Sequence, residues 1–100
     1  MSGQVVTVVS AVVDPLREAD LTAAYEAVIG EDFLDGLLAS ALMRGSGDAW
    51  QIVTVWRDRA ALEAMRASGE PPAAPRVFRQ AGADPALAIF EVTAAILRKE

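Results

Sequence analysis

The sequence predicts an α+β domain with the order strand, helix, strand, strand, helix, strand, and an extra short helix before the last strand. Three observations predict it. Runs rich in β-branched and apolar residues recur at 4–13, 37–44, 50–55 and 87–97. Two of the gaps between them carry apolar residues at helical spacing. Gly, Pro and Asp stand at the joints, where chain reversals and helix caps need them.

The first run, 4–13 (QVVTVVSAVV), stops at Asp14-Pro15. Asp suits an N-cap and Pro the first helical position, so a helix begins there. Leu21, Ala24, Tyr25, Val28 and Ile29 then recur at i, i+3, i+4, i+7 and i+8 and form one apolar stripe, which Gly30 ends. Phe33 and Leu34 lie in a connector with Asp35-Gly36, and 37–44 reads as a short strand. Gly45-Ser46-Gly47-Asp48 supplies a hairpin turn, and 50–55 is the partner strand.

Asp58 caps the second helix, whose apolar face is Ala61, Leu62 and Met65 and which fails near Ser68-Gly69. Pro71, Pro72 and Pro75 cannot sit inside a helix, but Pro75 can begin a short one with Val77, Phe78 and Ala81 on one face and Gly82 at its close. The last run, 87–97 (LAIFEVTAAIL), is read as the fourth strand, although its Ala-rich end also fits a helix. This order is that of the ferredoxin-like βαββαβ fold. Right-handed crossovers place both main helices on one side of a four-stranded sheet.

Composition narrows the function. One hundred residues make one domain, and 53% hydrophobic with 23% charged residues is a globular balance. The net charge of −5, from 14 acidic and 9 basic residues, comes with no basic cluster able to neutralise several phosphates, so no nucleic-acid partner is expected. No apolar run approaches the ~20 residues of a spanning helix, and MSGQVV lacks the basic region of a signal sequence. A cytoplasmic protein without membrane contact is the expectation.

The chain also has no Cys, no His and no Asn. Disulfides, thiolate nucleophiles, iron–sulfur ligation, an imidazole base, a proximal haem ligand and the usual zinc sites are excluded. No metal site and no cofactor are expected, and any catalysis must use other groups.

Both parities of the strands are apolar. Val5, Thr7, Val9 and Ala11 alternate with Val6, Val8, Ser10 and Val12, and Phe90, Val92 and Ala94 oppose Ile89, Glu91 and Thr93. With helices on one side only, a monomer would expose several hundred Å² of apolar sheet, more than soluble monomers usually carry. Homodimerisation, sheet against sheet, answers this.

Three segments carry a family resemblance: FLDGLLAS at 33–40, VWRDRAALEAMRAS at 55–68 and IFEV at 89–92. Over nearly its whole length the chain resembles the antibiotic biosynthesis monooxygenase-like family of dimeric α+β barrels. The resemblance implies a homodimer whose sheets pack into a barrel, with a pocket in each subunit between sheet and helices. Members of that family oxidise aromatic polyketides or quinols without metal or flavin, degrade haem, or have no known activity.

Trp56 matches the family's strand-ending Trp. Met65 stands where many members carry His and the haem-degrading ones a Trp, and no haem ligand stands near Pro75. The strand Asn of the active oxygenases has no counterpart. Haem degradation is therefore not expected.

A cofactor-free oxygenase must hold an electron-rich ring, help to ionise it and exclude water. The candidates for holding a small aromatic or apolar ligand are Trp56, Tyr25, Phe78 and Met65, all of which also read as ordinary core. Thr54, on the same face of its strand as Trp56, and Ser10 or Thr7 on the first strand could hydrogen-bond a substrate oxygen, or could simply be strand residues.

Glu91 interrupts the fourth strand and would serve as a base if burial raised its pKa. Its parity instead suggests an ion pair with Arg57 or Arg44 on the barrel side. Arg76 and Arg79 flank Phe78 and either attract an anion or remain solvated, and Trp50 reads as interface or packing. Two functions follow: a cofactor-independent monooxygenase acting on an aromatic phenol, quinol or polyketide-like substrate, or a catalytically silent dimeric barrel with a binding or structural role.

Overall fold

The structure, a computed structural model, describes residues 3–29, 36–67 and 73–96. The expectations placed on Gly30, Phe33, Leu34, Asp35, Ser68-Gly69, Pro71, Pro72 and Leu97, and on the Ile29 side chain, lie outside the described residues. The elements are β1 (Val5–Val12), α1 (Glu18–Ile29), β2 (Leu37–Arg44), β3 (Ala49–Trp56), α2 (Arg59–Ala67), α3 (Ala73–Gln80) and β4 (Ala86–Glu91). They form one antiparallel sheet in the order β2-β3-β1-β4, which is the ferredoxin-like arrangement. Among the described residues no helix is long and apolar enough to cross a membrane.

Asp14 caps as expected, its Oδ1 accepting the Leu16 N–H at 2.9 Å, but the turn it starts at Pro15–Arg17 is a 3₁₀ turn that runs into α1. Along α1, Leu21 is fully buried and Ala24, Tyr25 and Val28 are partly buried on the same face. The second cap is also as expected, with the Ala61 N–H donating to Asp58 Oδ1 at 2.8 Å.

Two boundaries differ from expectation. The third helix begins at Ala73, which places Pro75 in its first turn. There the proline's missing N–H would have had no helical partner anyway, so nothing is lost. Gly82 closes this helix at φ 75°, with its N–H bonded to Arg79 O and the Ala83 N–H to Phe78 O, both at 3.0 Å, the αL termination that glycine permits. The fourth strand ends at Glu91, with one further ladder bond from Val92 N–H to Gln4 O at 2.9 Å. Residues 93–96 lie outside the strand, and Ile96 stands 99% exposed.

Register divides the sheet into two faces. Straight across it, Val5, Thr7, Val9 and Ala11 of β1 oppose Trp56, Thr54, Ile52 and Trp50 of β3. These are the side chains buried beneath the helices. The core forms two clusters. One joins Val9, Val13, Leu21, Trp50, Ile52, Val77, Phe78 and Ala81; the other joins Val5, Trp56, Ala61 and Leu62, with Met65, Leu37 and Ile89 packed against it. The first belongs to α1 and α3, which pack on one another, and the second to α2.

Gly36 ties α2 to the start of β2. It has φ 86°, a Cβ there would collide with the Ala61 side chain, and its carbonyl accepts the Arg57 N–H at 2.7 Å.

The opposite face of the sheet carries Val6, Val8, Val53 and Val55, half-buried, with Val12 and Phe90 at 72% and 55% exposure. No described helix covers it.

Candidate functional site

Between the two apolar clusters a row of hydroxyls crosses the helix-bearing face: Ser40 on β2, Thr54 on β3 and Thr7 on β1. A β-bulge puts Ser40 there. Leu37 opposes Trp56 while Ala39 opposes Val55, so Leu38 is the additional residue, and the shift brings Ser40 opposite Thr54. Without the bulge Ala39 would occupy that place, and Ser40 would point to the other face. No sequence signal marked Ser40, because period-two reading assumes an unbroken strand.

The row is bonded at both ends. Tyr25 OH, from α1, donates to Ser40 Oγ at 3.0 Å, and Ser40 Oγ lies 3.4 Å from Thr54 Oγ1. Trp56 Nε1 donates to Thr7 Oγ1 at 3.2 Å, a diagonal contact between neighbouring strands. Thr7 and Thr54 are directly opposed and only 8% and 7% exposed. Buried hydroxyls at such positions require partners, and this set supplies them.

Five side chains therefore gather here: Tyr25, Ser40, Thr54, Thr7 and Trp56. Met65 of α2 packs on the Trp56 cluster beside them. The other two sequence candidates fall elsewhere. Ser10 opposes Gln51 on the outer face, since an odd separation from Thr7 reverses its direction. Thr7, considered alongside Ser10, occupies the inner position. Phe78 is fully enclosed in the α1–α3 cluster, where it acts as core.

Glu91 also departs from expectation. Opposite Val5, it lies on the helix-bearing side, pairs with Arg59 at 3.3 Å instead of Arg57 or Arg44, and its side chain is 68% exposed. Arg44 instead pairs with Glu18 and lies 4.5 Å over the Trp50 ring. Trp50 is interior core, the packing alternative of its two readings, and among the described residues its buried Nε1 has no hydrogen-bond partner. Arg79 is exposed and Arg76 partly so.

The chemistry of the row follows from its atoms. It offers hydroxyl and indole hydrogen bonds, a flat apolar flank and a thioether, with no carboxylate among its members. It can hold and polarise a ligand oxygen, and none of its groups is an ionised base at neutral pH. Among the described residues no three acidic side chains gather as metal ligands would.

No protein-family model matches the chain, and no curated protein is recognisably similar to it in sequence. Solved structures do match. A protein of unknown function from Nitrosomonas europaea superposes with TM-score 0.72 at 16% identity, over 99% of this chain and 98% of that one. A candidate antibiotic biosynthesis monooxygenase from Caulobacter crescentus gives 0.68 at 15% identity, over 93% and 92% of the two chains. A cofactor-independent oxygenase from Streptomyces nogalater gives 0.63 at 15% identity, over 97% and 100%. The chain thus has the fold of the antibiotic biosynthesis monooxygenase structures, over essentially their full length.

Proposed function

We propose that the protein is a cofactor-independent monooxygenase of aromatic phenols, quinols or polyketide-like rings, acting as a homodimer joined through the uncovered sheet faces. The observation that carries this reading is the bonded hydroxyl row between two apolar clusters, on the helix-bearing face of a fold shared with a cofactor-independent oxygenase. Trp56 and Met65 hold the ring, Thr54 and Thr7 orient its oxygen, and Tyr25 anchors the row from above.

In the reaction proposed, an electron-rich ring anion reduces O₂ directly. The oxygen becomes bonded to a ring carbon as a peroxide and the O–O bond breaks: a ring CH₂, as in an anthrone, becomes C=O, and a ring C–H of a hydroquinone becomes the C–OH of a hydroxyquinone. One oxygen atom stays in the product and the other leaves as water with two hydrogens lost from the substrate, so no external reductant is consumed. The protein's share is positioning and the exclusion of bulk water.

The test is oxygen uptake by the purified protein with a panel of hydroquinones and anthrones. Consumption of one O₂ per ring oxidised, diminished in Thr54→Val, is the expected result. No turnover across the panel would overturn it. A second reading, a silent barrel that binds a small aromatic or apolar ligand, draws on the exposed, ion-paired Glu91, which leaves the row without a nearby buried base. Ligand-induced changes in Trp fluorescence without oxygen uptake would select it.

A further inference from the structure

The hydrogen bonds of the row have a direction. An indole N–H can only donate, so Trp56 fixes Thr7 Oγ1 as an acceptor and leaves the Thr7 proton for another partner. At the other end Tyr25 OH donates to Ser40, and Ser40 Oγ lies 3.4 Å from Thr54 Oγ1, a contact in which either hydroxyl can donate. Because Ser40 already accepts from Tyr25, the cooperative sense has Ser40 donating to Thr54. Run in that sense, from Tyr25 to Ser40 to Thr54, the chain of bonds leaves the Thr54 proton uncommitted as well. Among the described residues no side chain accepts the Thr7 proton, and with Ser40 donating none accepts that of Thr54. Thr7 and Thr54 are directly opposed, and opposed side chains on paired strands stand about 5 Å apart at Cβ. Two hydroxyls without a protein acceptor in that arrangement thus stand opposite one another on the helix-bearing face.

We propose that Thr7 and Thr54 form a two-donor seat for a single ligand oxygen, which favours a phenolate or a quinone carbonyl over a neutral phenol. This rests on the aromatic-ligand reading above and specifies its chemistry: ionisation is driven by donors that stabilise the anion, not by a protein base that removes the proton. Hydrogen bonds to an ionised acceptor are roughly twice as strong as neutral ones, and a buried setting strengthens them further. Tyr25 and Trp56 are the positioning residues: Trp56 orients the Thr7 hydroxyl directly, and Tyr25 acts on Thr54 through Ser40, neither touching the ligand oxygen in this arrangement. The titratable group in the row is Tyr25. On the β4 side Glu91 opposes Val5, two residues from Thr7, and is paired with Arg59 of α2; Arg57 and Asp58, paired with one another, follow Trp56.

The test is spectroscopic and independent of turnover. A chromophoric naphthol bound to the protein without O₂ should titrate at a pKa lower than in water by about one unit or more, read from its phenolate absorbance. Thr7→Val and Thr54→Val should each return part of that shift, and the serine variants Thr7→Ser and Thr54→Ser should keep it. A naphthoquinone, which only accepts hydrogen bonds, should bind the wild type and lose several-fold in affinity in either valine variant. A bound naphthol pKa equal to or above that in water overturns the proposal, as does a shift that survives the Thr7→Val, Thr54→Val double variant with its melting temperature intact. Loss of oxygen uptake with the shift preserved would instead count against the monooxygenase reading alone.

Discussion

Asp58 shows how one side chain sets a helix and a pH dependence together. Its carboxylate accepts the Ala61 N–H at the start of α2, and this bond above all, opposed by desolvation and then supported by Arg57, holds its pKa below the ordinary 3.8. A carboxylate depressed in the folded state stabilises that state above its unfolded pKa, and the contribution is lost as pH falls through the lower, folded value. The variant Asp58→Asn keeps an acceptor oxygen but does not titrate. The difference in melting temperature between wild type and Asp58→Asn should therefore hold steady near neutrality and shrink as pH falls through and below 3.8. A gap that is constant with pH would remove Asp58 from the acid response. This cap was legible in the sequence, because Asp followed by an apolar helical stripe has one common structural use. Trp56 was legible for the same local reason. Ser40 was not, because its direction depends on the bulge at Leu38, which strict period-two alternation does not show.

At the scale of elements, α1 is joined to the sheet by apolar packing, by the Arg44–Glu18 ion pair and by the bond from Tyr25 to Ser40. Both groups are partly buried, so deleting one leaves the other short of a partner, and deleting both removes that penalty. Ser40→Ala and Tyr25→Phe should each destabilise the fold by about 1 kcal/mol, with the double variant less stable than wild type by clearly less than the sum. Urea unfolding of the four proteins measures the coupling, and strict additivity would show that the bond contributes nothing net. Helix and strand identities were readable from periodicity, since amphipathic stripes and β-branched runs reflect burial directly. The ends of β4 and α3 were not. The strand's end follows its pairing with β1, distant in sequence, and the helix starts two residues earlier, at Ala73, because Pro75 needs no N–H partner in the first turn.

On the whole-molecule scale, the chain exposes 6701 Å², against roughly 5,500 Å² for a compact monomer of its mass. Residues 92–96 contribute to the excess, and so does the sheet face opposite the helices. At the middle of that face Val8 and Val53 are directly opposed, flanked by Val6 and Val55, and apolar side chains so placed gain about 25 cal/mol for each Å² removed from water. A second copy of the same face is the proposed cover, and a two-fold arrangement lets each patch meet its own equivalent. Val53→Arg would place two guanidinium groups near the axis of such a dimer, with no acidic side chain opposite on β1, where Val8 stands. Burying unpaired like charges costs several kcal/mol, which exceeds what the surrounding valines can restore. Light scattering should therefore give wild type at twice the 10.6 kDa chain mass and Val53→Arg at the single-chain mass, with both retaining the same far-ultraviolet circular dichroism. A wild type that is monomeric at the micromolar concentrations used, or a Val53→Arg variant that stays dimeric, would place the interface elsewhere or remove it.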